Sequence, residues 1–168
     1  MMVAEEEVVV DTNATWNNLQ EFAQWYKDNN YPHNPPTDAK LYQTDVSSSI
    51  CIFRQGKFQV EFYIARPNFI SSKHFHNFEQ AIIPMGGTGR GRRGTVLSEE
   101  SDWKTISWFI VGKILPILPQ THWHQIESFD TGLYFYNCQM WPEGVTPTSA
   151  VVSYIGDSLG PIHDLIKE

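Results

Sequence analysis

The sequence predicts a mainly antiparallel all-β sandwich or barrel (jelly roll) with one α-helix at its N-terminal side. Three observations carry that expectation. From Leu41 onward, short runs rich in β-branched and aromatic residues are separated by turn-forming residues at intervals of about ten. Aromatic residues are abundant (6 Trp, 7 Tyr, 10 Phe), charged residues make up only 18%, and 11 Gly with 10 Pro supply turns. That balance suits short strands better than helical bundles. One helical periodicity precedes the strands, with Trp16, Leu19, Phe22, Ala23 and Tyr26 spaced by threes and fours. At 168 residues the chain is about one domain long, enough to bury roughly 70% of its unfolded surface. Residues 1–40 read as an acidic arm, the helix and a Pro-rich linker, and residues 41–168 as the barrel, one domain overall.

In chain order, Glu5-Glu6-Glu7 and then Val8-Val9-Val10 form an acidic, β-prone lead-in. The helix is expected over Ala14 to Asn29, capped at Asn13 or Thr15. Tyr31-Pro32-His33-Asn34-Pro35-Pro36 stops it, because prolines and the residues before them leave the helical region. Ser49 to Arg54 and Lys57 to Ala65 read as a hairpin around Gln55-Gly56. In the second strand Phe58, Val60, Phe62 and Ile64 share one face, while Gln59, Glu61 and Tyr63 share the other. His74 to Pro84 is expected as a strand, Gly86 to Gly89 as a tight turn, and Leu97 to Lys104 as an acidic surface loop. Further strands are expected at Ile106 to Val111, Lys113 to Leu118, His122 to Glu127, Leu133 to Met140 and Ala150 to Ile155, with turns at 130–132 and 142–144. A short helix over Pro161 to Ile166 closes the chain. Either Leu133, Phe135, Asn137 and Gln139 or the alternating set Tyr134, Tyr136, Cys138 and Met140 must line the barrel.

The formal charge of -7, from 12 Lys and Arg against 19 Asp and Glu, disfavours a nucleic-acid partner. No basic, apolar leader opens the sequence, and no window approaches the roughly 20 apolar residues that span a bilayer. A cytoplasmic protein with no membrane partner is the expectation. Cys51 and Cys138 each sit in apolar runs, where free thiols behave as small buried hydrophobes.

Chemistry concentrates in two windows, Lys73-His74-Phe75-His76-Asn77-Phe78-Glu79-Gln80 and Thr121-His122-Trp123-His124-Gln125, which hold four of the 6 histidines. Side chains alternate along a strand, so His74 and His76 project together, as do His122 and His124, and two strands could converge their imidazoles on one metal. By the same alternation position 80 shares the face of 74 and 76 and position 79 does not, although a bulge would reverse that. Gly86 to Gly94 could also cradle an anion, with Arg90 and Arg92 on one face. The Lys-Ser/Thr of a nucleotide-phosphate loop is absent, however, and a turn into the next strand is the simpler reading.

These windows resemble the two motifs of the cupin family. The first motif is G-x5-H-x-H-x3or4-E-x6-G, against which stand Asn68, His74, His76, Gln80 and Gly87. The second is G-x5-P-x-G-x2-H-x3-N, against which stand Pro119, Thr121, His124 and Ser128, with Gly112 one residue too far away. Gln80, Asn68, Thr121 and Ser128 depart from the family residues. The resemblance implies a cupin-like double-stranded β-barrel in which His74, His76, His124 and either Gln80 or Glu79 hold a divalent transition metal (Fe, Mn, Zn, Ni or Cu). A neutral amide ligand would favour a borderline metal over a hard one. It further implies a metal-dependent enzyme of oxygenase or isomerase type acting on a small molecule, with Glu79 and His122 as the candidates for proton transfer. The alternative is a non-enzymatic cupin-fold binding, assembly or virion structural module that has lost its metal. Edge strands, and the valine arm above all, are expected to pair copies of the chain into a homo-oligomer.

Overall fold

The computed structural model describes residues 16–95, 106–120, 122–150 and 155–156. The expected valine arm, the 97–104 loop and the 161–166 helix lie outside them. Helix α1 spans Leu19–Asp28, and the strands are β1 (Tyr42–Gln43), β2 (Ser47–Gln55), β3 (Phe58–Ala65), β4 (His74–Phe75), β5 (Glu79–Gly94), β6 (Ile106–Trp108), β7 (Trp123–Met140) and β8 (Ile155–Gly156). The helix begins later than expected. Its cap is Asn18, whose Oδ1 accepts from Glu21 N at 2.8 Å, while the Glu21 carboxylate accepts from Asn17 N at 2.9 Å. Asn13 and Thr15 lie outside the described residues. Leu19, Phe22, Ala23 and Tyr26 are buried, as their spacing required.

The β2–β3 hairpin turns at Gly56, whose φ of 59° lies where glycine is at ease. β3 pairs with the C-terminal half of β7, from Phe58↔Met140 to Ala65↔Leu133. β7 pairs on its other side with β5 along nearly its whole length, from Glu79↔Met140 to Gly94↔Trp123. The expected tight turn at Gly86 to Gly89 is therefore a stretch of continuous strand, as is the expected turn at 130–132. Register shifts at Pro84/Gly86 and Gly87/Gly89 mark where the long ribbon bends. Gly87 and Gly132, with φ of 78° and 71°, face each other at this corner, and a Cβ on Gly87 would collide with Gly132 O. Beyond the bend, β7 pairs with β4 through His124↔His74, and β4 with β8, so the sheet curls back over itself.

The segment expected as a strand at Lys113 to Leu118 is not one. It runs beside β5 on scattered bonds, Leu115 N to Ile82 O (2.9 Å) and a reciprocal pair between Leu118 and Gln80. The expected strand at His74 to Pro84 is interrupted at 76–78, and β6 ends at Trp108 rather than Val111.

The apolar core lies mainly outside the barrel. Leu19, Phe22 and Tyr26 of α1 pack with Phe53, Phe58, Val60, Ala81, Ile83 and Cys138 on the outer face of the sheet. The opposite faces of those strands carry Gln59, Glu61, Gln80, Asn137 and Gln139 inward, all but Asn137 at most 5% exposed. The inner set on β7 is thus Leu133, Phe135, Asn137 and Gln139. A second apolar cluster of Ala65, Phe109, Leu115, Ile126, Leu133 and Phe135 fills the other end. Among the described residues no helix is long and apolar enough to cross a membrane.

Candidate metal centre

His74 and His124 face each other across the β4–β7 ladder, with ring centroids 4.1 Å apart. His76, just past the end of β4, lies on the same side as His74, and both are buried. The ligand nitrogens of His74, His76 and His124 all lie within 4.8 Å of one another. Nitrogens sharing one metal at about 2.1 Å sit about 3 to 3.5 Å apart, so small side-chain rotations close the difference. His74 Nδ1 lies 2.8 Å from Ser72 O. Donation to that carbonyl puts the proton on Nδ1 and makes the Nε2 lone pair the one that would serve as ligand. His76 is stacked on Phe78 at 4.7 Å, which fixes its plane. Burial first, then His74 and His76, hold His124 well below the ordinary imidazole range. It is therefore neutral, as a ligand must be.

Gln80 is buried beside them, its Nε2 3.0 and 3.2 Å from the two ring nitrogens of His124 and its Oε1 3.1 Å from Asn137 Nδ2. Asn137 Oδ1 is buried without a partner. Turning over both amides keeps their mutual hydrogen bond with the roles reversed, aims Gln80 Oε1 at the histidines, and puts Asn137 Nδ2 in the place where Oδ1 had no partner. Three neutral imidazoles and one amide oxygen fit a borderline divalent metal.

Glu79 pairs with Met140 and lines neither cavity of the barrel, and His122 lies outside the histidine cluster, its N–H donating to Pro119 O. A cavity of about 60 Å³ adjoins the histidines, lined also by Ser49, Tyr63, Ser71, Asn137 and Glu61. Glu61 went unremarked in the sequence as a functional residue. It is fully buried, with Oε1 accepting from Gln139 Nε2 (2.8 Å) and Ala150 N (2.7 Å), and Oε2 bonded to Ser149 Oγ (3.2 Å). Burial pushes its carboxyl above the ordinary range, against the opposing pull of these bonds. Its one sequence signal was an acid at an alternating position among large apolar residues.

The arginines after the glycines are engaged structurally. Arg90 pairs with Glu127 (2.7 Å), Arg92 donates to Gln125 (2.8 Å), and Arg93 donates to Ile117 O (2.7 Å). The departures from the motifs also have local causes. Asn68 stands at the leading glycine position with φ 58°, which asparagine tolerates. Ser128 bonds Phe69 N and Arg66 O with its hydroxyl, bracing the turn before β4.

Solved structures share this architecture. An oxalate decarboxylase from Lactobacillus farciminis, as a formate complex, is similar with a TM-score of 0.58 and 12% identity over 74% of this chain. The fold is that of a cupin. The Bacillus subtilis oxalate decarboxylase, described with Mn(II) centres, matches this cupin barrel with a TM-score of 0.52 and 13% identity over 67% of the chain. CapF, in complex with the inhibitor 3-isopropenyl-tropolone, gives a TM-score of 0.50 and 19% identity over 62%. The chain spans about a third of the length of each, 36%, 30% and 31% respectively. No protein-family profile matches the chain, and neither does any curated protein.

Proposed function

We propose that this cupin barrel is a metal-dependent enzyme of oxygenase or isomerase type acting on a small molecule, at a centre held by His74, His76, His124 and Gln80. The observation that carries the reading is the convergence of three histidines, two buried and one half-buried, whose ligand nitrogens lie within 4.8 Å of one another. Bound there, a divalent transition metal would supply Lewis-acid or redox activation of a substrate. The chain's own residues do the rest. The Ser72 carbonyl orients His74, Phe78 orients His76, and Asn137 orients Gln80. The cavity of about 60 Å³ beside the histidines suits a small molecule. Ser49, Ser71, Tyr63 and Asn137 offer it polar contacts.

One observation favours a metal-free binding or assembly module instead. The Gln80 Nε2 contact with His124 already occupies that imidazole, with no ion needed. Elemental analysis of the purified protein together with its His76→Ala variant separates the two. The enzyme reading expects about one transition metal per chain in the parent, lost in the variant. A metal-free parent that takes up none on dialysis against Mn2+ or Zn2+ would leave the module.

A further inference from the structure

The centre just described carries no charge of its own, being three imidazoles and an amide. A divalent cation there would sit in a buried site with no anion among its ligands, and an uncompensated buried charge is costly. Among the described residues lining the cavity, one carboxylate is present, Glu61. It lines the cavity from β3, where it pairs with Asn137 of β7, and no cupin motif position covers it.

Resting on that metal reading, we propose that Glu61 is the counter-anion of the centre, supplying from the wall of the same cavity the negative charge that Gln80 does not provide at the ligand position. The hydrogen-bond geometry suits this role. Two N–H donors, Gln139 Nε2 and Ala150 N, fix Oε1 as an acceptor, whereas Oε2 meets only hydroxyls, Ser149 Oγ at 3.2 Å and Ser49 Oγ at 3.5 Å. Hydroxyls can accept or donate, so Oε2 is the atom that can hold a proton or release it without any neighbour losing its bond. Gln139 is itself fixed, its Oε1 taking Trp141 Nε1 (2.9 Å) and Gln59 Nε2 (2.9 Å), so Glu61 cannot swing away from the cavity wall.

The titratable and charged groups around Glu61 leave the role to it. Cys51, its register partner on β2, is a buried thiol raised to about 12. Arg54 is turned to Gln59 (2.7 Å) and Asp38 (3.2 Å), Tyr63 is a half-buried phenol raised to about 12 by desolvation, and the three histidines are the ligands themselves. With the Glu61 carboxylate on the cavity wall, one entering divalent ion leaves the site with a net charge of one in place of two.

The test is calorimetric titration with Mn2+ at about pH 8, where free imidazoles are already neutral. Parent, Glu61→Gln, and Glu61→Gln combined with Gln80→Glu are compared. Glutamine at 61 keeps the acceptor for Gln139 and Ala150 and can donate to the hydroxyls. The expected result is an affinity about tenfold or more weaker in Glu61→Gln and recovery of affinity in the double variant, where the charge returns as a ligand. Equal affinity in parent and Glu61→Gln overturns the inference and leaves the metal centre standing. A parent that binds no Mn2+ removes both together. If Glu61→Gln does not fold, Glu61→Asp, which draws the carboxylate back from the cavity, is titrated instead, and an affinity equal to the parent's overturns the proposal.

Discussion

Replacing Gln80 with glutamate puts a carboxylate 3.0 Å from a neutral imidazole at a position that is 2% exposed. Without metal this must destabilise the barrel. A lone buried carboxylate costs several kcal/mol, and the Asn137 amide, with a protonated His124, offsets part of that. The remaining loss is about 1 to 3 kcal/mol. For a chain of this size each kcal/mol lowers Tm by about 2 to 4 °C, so a fall of roughly 3 to 10 °C is expected in the presence of chelator. With metal the sign reverses. Two unit charges about 4 Å apart gain about 4 kcal/mol at an effective dielectric near 20, which after desolvation supports at least about tenfold tighter binding. That adds about 1.4 kcal/mol of stability at equal excess of Mn2+. The assay is thermal unfolding with chelator and with excess Mn2+, on the parent, Gln80→Glu and Glu79→Gln. The metal-induced rise should be largest in Gln80→Glu and unaltered in Glu79→Gln. A smaller rise in Gln80→Glu than in the parent, or a larger effect at position 79, would refute the assignment of Gln80 to the centre.

Two further outcomes follow from the geometry. Gly87→Ala is expected to cost about 2 to 4 kcal/mol in chemical denaturation, because φ of 78° disfavours a side chain and the new Cβ meets the Gly132 carbonyl; a loss under about 0.5 kcal/mol would mean the corner adjusts freely. The pH dependence of stability should differ between the parent and Glu61→Gln. A carboxyl raised by burial keeps its proton longer in the folded chain, so its contribution is full below the ordinary value of 4.5 and is lost as pH rises toward the raised value. His124 works the other way, its depressed basicity removing stability as pH falls below about 6.5, and it does so in both proteins. Thermal melts should therefore show Glu61→Gln gaining on the parent as pH rises above about 4.5, and a constant difference across that range would contradict the burial argument.

Several features could be read in the sequence because one local rule governed each. The stripe of Leu19, Phe22, Ala23 and Tyr26 packs as its period required, and Gln55-Gly56 turns the hairpin where turn chemistry put it. Strand alternation placed His74 and His76 on one side, and Gln80 rather than Glu79 lines the cavity even though the strand breaks between them. Glycine was misread between Gly86 and Gly89, since a bulged strand at a barrel corner and a tight turn draw on the same residue. What distinguishes them is Gly132 across the ladder, some forty-five positions away in the chain. Lys113 to Leu118 has strand-like composition, yet it makes only scattered bonds to β5, a fact of tertiary context. Glu61 was hidden by the same alternation that exposed the histidines. With Gln59 and Tyr63 it marked a polar face that would ordinarily meet water, but α1 covers the apolar face of β3 and turns the polar one into the barrel.

The central claim is that three histidines from two distant windows bind one metal ion. Pulsed electron paramagnetic resonance on the Cu2+-loaded protein counts coordinated imidazole nitrogens directly. Three are predicted in the parent, two in each of His74→Ala, His76→Ala and His124→Ala, and three in His122→Ala. A parent signal from a single imidazole, or one reduced by His122→Ala and untouched by His74→Ala, would contradict the shared centre.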